Sequence, residues 1–115
     1  MPCVEKYYAG SCRDEKYQSW QAKGTLCWTE YDTGIAASAG AVICPNQFRF
    51  VLEENRYPIV EPEWFEIQTI VTYNILNEGE VDNVWFNHKP TGRKYRIRVD
   101  SLTYGGSIYS YEFYH

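Results

Sequence analysis

Only two of the 115 residues are histidine, one is methionine, and no apolar run is long. Each shortage removes a class of chemistry. Any mechanism that needs an imidazole acid or base must use His88 or His115. His88 sits in an apparent turn, where an ordinary exposed histidine is the competing reading, and His115 is the last residue, where mobility is expected. No segment approaches the ~18 apolar residues of a membrane span, and the longest uncharged stretch, 33–48, is rich in Ala, Gly and Ser. The sequence contains no phosphate-binding glycine loop, no G-x-S-x-G, no H-E-x-x-H, no calcium loop and no N-x-S/T acceptor. The N-terminus has neither a basic segment nor an apolar core, so no secretory leader is expected within these residues.

What is present is aromatic and mildly acidic. Eleven Tyr, four Trp and five Phe make up 17% of the chain, which suits strands and contact surfaces. The formal net charge of −4 gives the whole molecule no long-range attraction for nucleic acid or anionic lipid, so any such binding must be local. The length suits one domain. Cys3, Cys12, Cys27 and Cys44 are even in number and lack the C-x-x-C spacing of a zinc site. They read as two disulfides in an oxidising compartment, with four buried thiols as the alternative. Three pairings are open, and no metal or other cofactor is implied. A cysteine nucleophile finds no recognised catalytic context.

The pattern predicts an α+β domain in which one short helix packs on an antiparallel sheet. The cysteine-bearing region, 1–44, is expected to hold a short helix over 13–23. Ser11 and Asp14 are its candidate caps, Tyr17 and Trp20 share a face, and Gly24 stops it. The stretch 32–40 reads as a loop, because its Gly and Ser residues interrupt both periodicities. A second helix is expected over 45–55, with Pro45 at its start, although Phe48, Phe50 and Leu52 also alternate as a strand would. From 56 to 115 an antiparallel meander is expected, with strands at 57–60, 64–73, 81–86, 93–100 and 107–114. Tyr95, Ile97 and Val99 should face the core and Lys94, Arg96, Arg98 and Asp100 the solvent. Turns are expected at 89–92 and, on Gly105-Gly106, at 104–107.

Charge is segregated along this meander. Arg93, Lys94, Arg96 and Arg98 follow one another without an acid, and three of them at period two form a candidate phosphate-binding face. An ordinary solvated sheet face is the competing account. Glu61, Glu63 and Glu66 flank Trp64 and Phe65, where a carboxylate beside aromatic bulk is a candidate general base. Glu66 as base, His88 as acid and Arg98 as phosphate clamp would together form a ribonuclease site.

Tyr57-Pro58, the run from Glu63 to Ile67, the run from Asp82 to Asn87 and the segment from Tyr95 to Gly106 resemble, in order, pieces of the fungal guanyl-specific ribonucleases. The resemblance covers about half of the chain and departs from the enzymes at the catalytic positions. Ile59 stands in place of a histidine, Asn83 near the place of the clamping arginine, and Asp100 near that of the acid histidine. Only Glu63 or Glu66 could supply the remaining carboxylate. A small, tyrosine-rich, cysteine-bearing ribonuclease shape without its catalytic set is similar to the ribonuclease-like effectors that powdery mildew fungi secrete. That resemblance implies a non-catalytic, monomeric virulence protein, translocated into plant cells. There it would bind a host protein, or RNA weakly, and be open to recognition by an intracellular immune receptor. An active small ribonuclease and an aromatic-surface lectin or toxin are the alternatives.

Overall fold

A computed structural model describes residues 1–56 and 61–115. The chain is all-β, so the α+β expectation is corrected: neither helix forms among the described residues. Nine strands follow one another: β1 (Cys3–Arg13), β2 (Ser19–Tyr31), β3 (Gly34–Ile43), β4 (Phe48–Asn55), β5 (Trp64–Val71), β6 (Val81–Asn87), β7 (Lys94–Ser101), β8 (Ser107–Tyr109) and β9 (Phe113–Tyr114). They build two antiparallel sheets. The first runs in the order β1-β2-β3-β6 and the second in the order β5-β4-β7-β8, with β9 also pairing β7.

The expected first helix is the β1–β2 hairpin. Asp14 does cap main-chain N–H groups, but those of a turn: its Oδ1 accepts from Lys16 and Gln18 at 2.9 Å, and its Oδ2 accepts from the Trp20 indole at 3.0 Å. The β1–β2 ladder, which pairs Cys12 with Trp20 and Arg13 with Ser19, outweighs a helical spacing of only two aromatics. The expected second helix is β4, the strand at the centre of the second sheet. Phe48, Phe50 and Leu52 are completely buried, so their period-two pattern was the decisive one. The expected loop at 32–40 is largely β3. Its small residues serve large neighbours: a Cβ on Gly34 would lie 2.5 Å from the Trp85 ring, and one on Gly24, across the ladder in β2, 2.7 Å from the Tyr8 ring. Glycine and alanine here are room for aromatic side chains rather than signs of a flexible segment.

The meander is partly corrected. β7 and β8 form the expected hairpin, with Gly105 and Gly106 at φ of 78° and 82°, values that favour glycine. β6, however, pairs β3 in the other sheet, so residues 89–92 carry the chain between sheets instead of closing a hairpin. The strand expected at 57–60 lies outside the described residues. Tyr95, Ile97 and Val99 are fully buried, as their alternation predicts.

The core lies between the sheets. Leu26, Trp28, Ile35, Ala37, Ala39 and Phe86 from the first sheet meet Phe48, Phe50, Leu52, Tyr95, Ile97 and Val99 from the second. At about 1.5–3 kcal/mol for each large apolar side chain buried, this interface is the main source of stability. Two disulfides act on the first sheet and its exit. Cys3–Cys27 joins cross-strand partners of β1 and β2, and Cys12–Cys44 ties the end of β1 to the residue following β3.

Both bridges close substantial loops, with sequence separations of 24 and 32. Loop-closure entropy assigns each about 3–4 kcal/mol. The Cys12→Ala/Cys44→Ala pair of substitutions is expected to lower unfolding free energy by about that amount, measured by urea titration in oxidising buffer. A loss below about 1 kcal/mol would mean that the unfolded chain is already compact around this bridge.

Candidate functional site

Alternation along β7 places Lys94, Arg96 and Arg98 together on the outer face of the second sheet, as expected from the sequence. Its neighbour β4 decides what they can do there. Register sets Glu53 opposite Arg96 and Val51 opposite Arg98. Glu53 is buried, and its two oxygens accept from Arg96 Nε at 2.8 Å and from Arg98 Nη1 at 3.1 Å. Arg98 also donates to Asp100 Oδ1 at 2.9 Å and to Glu66 Oε1 at 2.8 Å. Arg49 closes the other side of Asp100 at 2.8 Å.

Arg93 and Lys94 are engaged as well. Arg93 donates to Glu54 Oε1 at 3.0 Å, and Lys94 lies 3.8 Å from Glu112. Aromatic rings complete the enclosure. The Arg96 guanidinium is stacked between Trp64, at 4.2 Å from the ring centre, and Tyr109, at 4.3 Å, while Lys94 lies 5.4 Å from the Tyr114 ring. A guanidinium between two rings with its Nε on a buried carboxylate is both neutralised and fixed in place. The face therefore presents alternating aromatic and paired ionic groups, and not a row of free positive charge.

The three groups of the ribonuclease arrangement are not brought together. Glu66 and Arg98 touch, but His88 packs edge-on against the Tyr95 ring, 4.5 Å between centres. Tyr95 points into the core, on the opposite face of β7 from Arg98. A cleft of about 300 Å³ beside Arg98 is lined by Arg49, Asp100 and the Gly105-Gly106 turn, and contains no histidine. Asn83 stands on the first sheet with its side chain exposed, away from Glu66 and Asp100. Ile59 lies outside the described residues, Glu61 and Glu63 are exposed, and all four cysteines are in disulfides.

Sequence reasoning missed the pairing of the two histidines. His115 is buried; its Nε2–H donates to the Tyr31 carbonyl at 2.7 Å, and its Nδ1 meets His88 Nδ1 at 2.7 Å. With Nε2 of His115 as donor, the N···N contact is made by the His88 Nδ1 proton when both rings are neutral. Around them, Tyr95 donates to Glu54 Oε2 at 2.8 Å, and the main-chain oxygen of His115 accepts from Thr91 and Gly92. Nothing in the sequence links positions 88 and 115, because the contact depends on β9 returning beside the start of β7. Glu53 and Glu54 were missed for the same reason: their partners are named only by the register of β4 on β7.

Compared with known proteins, the chain matches no family model, and neither a curated protein nor a solved structure is significantly similar to it.

These groups set the response to acid. Burial disfavours the charge on Asp100, but hydrogen bonds from Ser107, Arg49 and Arg98 outweigh it and hold the carboxyl below its usual range. Glu54 is likewise held low, since donation from Tyr95, Arg56 and Arg93 outweighs its burial. Burial, and then the neighbouring His115, lower the proton affinity of His88. In each case the unfolded chain takes up the proton first, so stability falls as pH falls. Thermal unfolding is expected to show a shallow loss on descending from about pH 6.5, removed in His88→Gln, and a steeper loss below about pH 4, reduced in Asp100→Asn. A wild-type melting temperature unchanged from pH 7 to pH 5 would contradict the assignment to His88.

Proposed function

We propose that this chain is a secreted, non-catalytic binding domain that engages a protein partner through the outer face of its second sheet. The observation that carries the reading is the Trp64–Arg96–Tyr109 stack. Tyr, Trp and Arg are the residue types that dominate the energetics of protein interfaces, because they present large contact area at little entropic cost. Here Arg96 is already ordered by Glu53, and the rings flank it, so binding would lose little side-chain freedom. Tyr109 and Tyr114 are exposed and extend the same face.

The pairing of Arg93, Lys94, Arg96 and Arg98 with acids supports a protein partner over RNA. Phosphate binding draws on counterion release by free cations, and each of these would first have to leave a carboxylate. Separation of His88 from Glu66 and Arg98 supports the non-catalytic reading, since phosphodiester cleavage needs a base, an acid and a charge-stabilising cation around one phosphorus. Two disulfides support an oxidising compartment and hence secretion. A host-protein target, as the effector resemblance implies, fits the same chemistry.

The test pairs a binding measurement with an RNA measurement. Against a panel of purified plant proteins, wild-type protein is expected to bind at least one member, with affinity reduced about tenfold or more in Tyr109→Ser/Tyr114→Ser. Hydrolysis of a fluorogenic RNA should remain at buffer level, and RNA retention should not change in Arg96→Glu/Arg98→Glu. Turnover abolished by Glu66→Gln would overturn the reading in favour of an enzyme. Retention on a glycan array lost with the same tyrosines would overturn it in favour of a lectin.

A further inference from the structure

Each sheet of the sandwich ends in two edges, and three of the four are blunted. β8 and β9 are three and two residues long. β1 is bulged between Tyr7 and Ser11, and the β7–β8 turn closes on it, with Ala9 N–H donating to the Gly105 carbonyl at 3.2 Å. β5 runs past a register shift opposite Leu52 and Glu53 and carries the charged Glu66. Short strands, bulges and charges are the usual protections against pairing with another chain.

β6 is neither short nor bulged, and it exposes no charged side chain. It is seven residues long, without proline, lysine, arginine or a register shift against β3. Its one charge, Asp82, is already buried and bonded on both oxygens by Thr72 and Asn74, so a new neighbour would not have to desolvate it. The direction of its main-chain groups is also set. The Glu80 carbonyl accepts from Ala41 of β3, and the Phe86 carbonyl lies against Gly34 of β3, which turns the even-numbered residues toward β3. Val81, Asn83, Trp85 and Asn87 therefore aim their N–H and C=O groups outward, and no described main-chain group bonds to them.

We propose that this edge pairs antiparallel with β6 of a second copy of the chain, about a twofold axis at Val84, in place of the monomer expected from the sequence. Val81 then faces Asn87 and Asn83 faces Trp85 of the other copy, joining two four-stranded sheets into one of eight. The two exposed Trp85 indoles lie diagonally across the axis, within reach of each other.

Charge argues for a second copy as the occupant. The strand is flanked by acid at its start, Glu78 and Glu80, and by the exposed Lys89 at its end. Antiparallel self-pairing sets the acidic end of each copy beside the basic end of the other, whereas parallel pairing would oppose like charges. Lys89 makes no ion pair among the described residues and is free to serve this contact. One strand pair with its flanks makes a small interface, so the dimer is a weak one.

Sedimentation over about 1–500 µM tests the proposal. Wild-type mass should rise toward twice 13.5 kDa, with a shift in tryptophan emission lost in Trp85→Phe. Asn83→Pro removes an outward N–H without touching the β3 ladder and should leave a monomer. Should that variant unfold, charge carries the test: Lys89→Glu should weaken the dimer about tenfold and Lys89→Glu/Glu80→Lys should restore it. Wild-type protein that stays monomeric throughout would overturn the proposal. So would a dimer untouched by Lys89→Glu, or one that the charge swap fails to restore, because the self-association would then use another surface.

Discussion

A buried carboxylate has to be answered by its neighbours, and in this molecule the answer fixes the second sheet. β4 carries Glu53 and Glu54 side by side near its end, and alternation sends them to opposite faces. On the outer face Glu53 holds Arg96 and Arg98; on the inner face Glu54 holds Tyr95, Arg93 and Arg56. Removing one partner from such a pair leaves charge without compensation and costs far more than an exposed ion pair contributes. Slippage of β7 by one residue would present Arg96 and Arg98 to the apolar interior and strand both acids. Register and electrostatics are thus one constraint.

That constraint also determines what the surface offers. Cations that satisfy acids within their own fold have little left for phosphate, so a basic run in the sequence becomes an ordered, nearly neutral patch in the structure. The aromatic rings gain from the same arrangement. Trp64 and Tyr109 come from strands on either side of the β4–β7 pair, and both rings lie against the one Arg96 guanidinium. The contact surface is a by-product of how the sheet satisfies its own charges.

Features whose cause is local could be read from the sequence. Tyr95, Ile97 and Val99 alternate because one side of β7 is wet, and Gly105-Gly106 mark their turn because L-residues avoid that backbone conformation. Four cysteines without close pairs spoke for disulfides, though not for which. The helices failed because short-range signals were ambiguous: Asp14 caps a turn with the same hydrogen bonds that would cap a helix, and Phe48, Val51 and Leu52 fit a helical face until the full burial of Phe50 is known. The small residues of β3 misled for a different reason. Gly and Ser interrupt the periodicity of this stretch, yet the small residues around them, Ala36 and Ala37 included, lie opposite the bulk of Trp85 and Trp28 on neighbouring strands, information that lies far away in the chain. The candidate site was half legible: the cations were visible, as were Glu66 and Asp100 that bind Arg98, but the buried Glu53 and Glu54 that hold Arg96 and Arg93 were not.

The order in which strands enter the sheets carries one more consequence. The chain builds three strands of the first sheet, crosses to lay down β4 and β5, returns to add β6, and crosses again for β7 to β9. Neither sheet can be completed before the other is well advanced, so the halves do not form separable cooperative units. Most of the closing contacts span long stretches of chain, which places such a topology among slow folders, assembling over milliseconds to seconds. During that interval the central strand β4 waits, rich in Phe, Val and Leu, for a partner that has not yet been threaded into place.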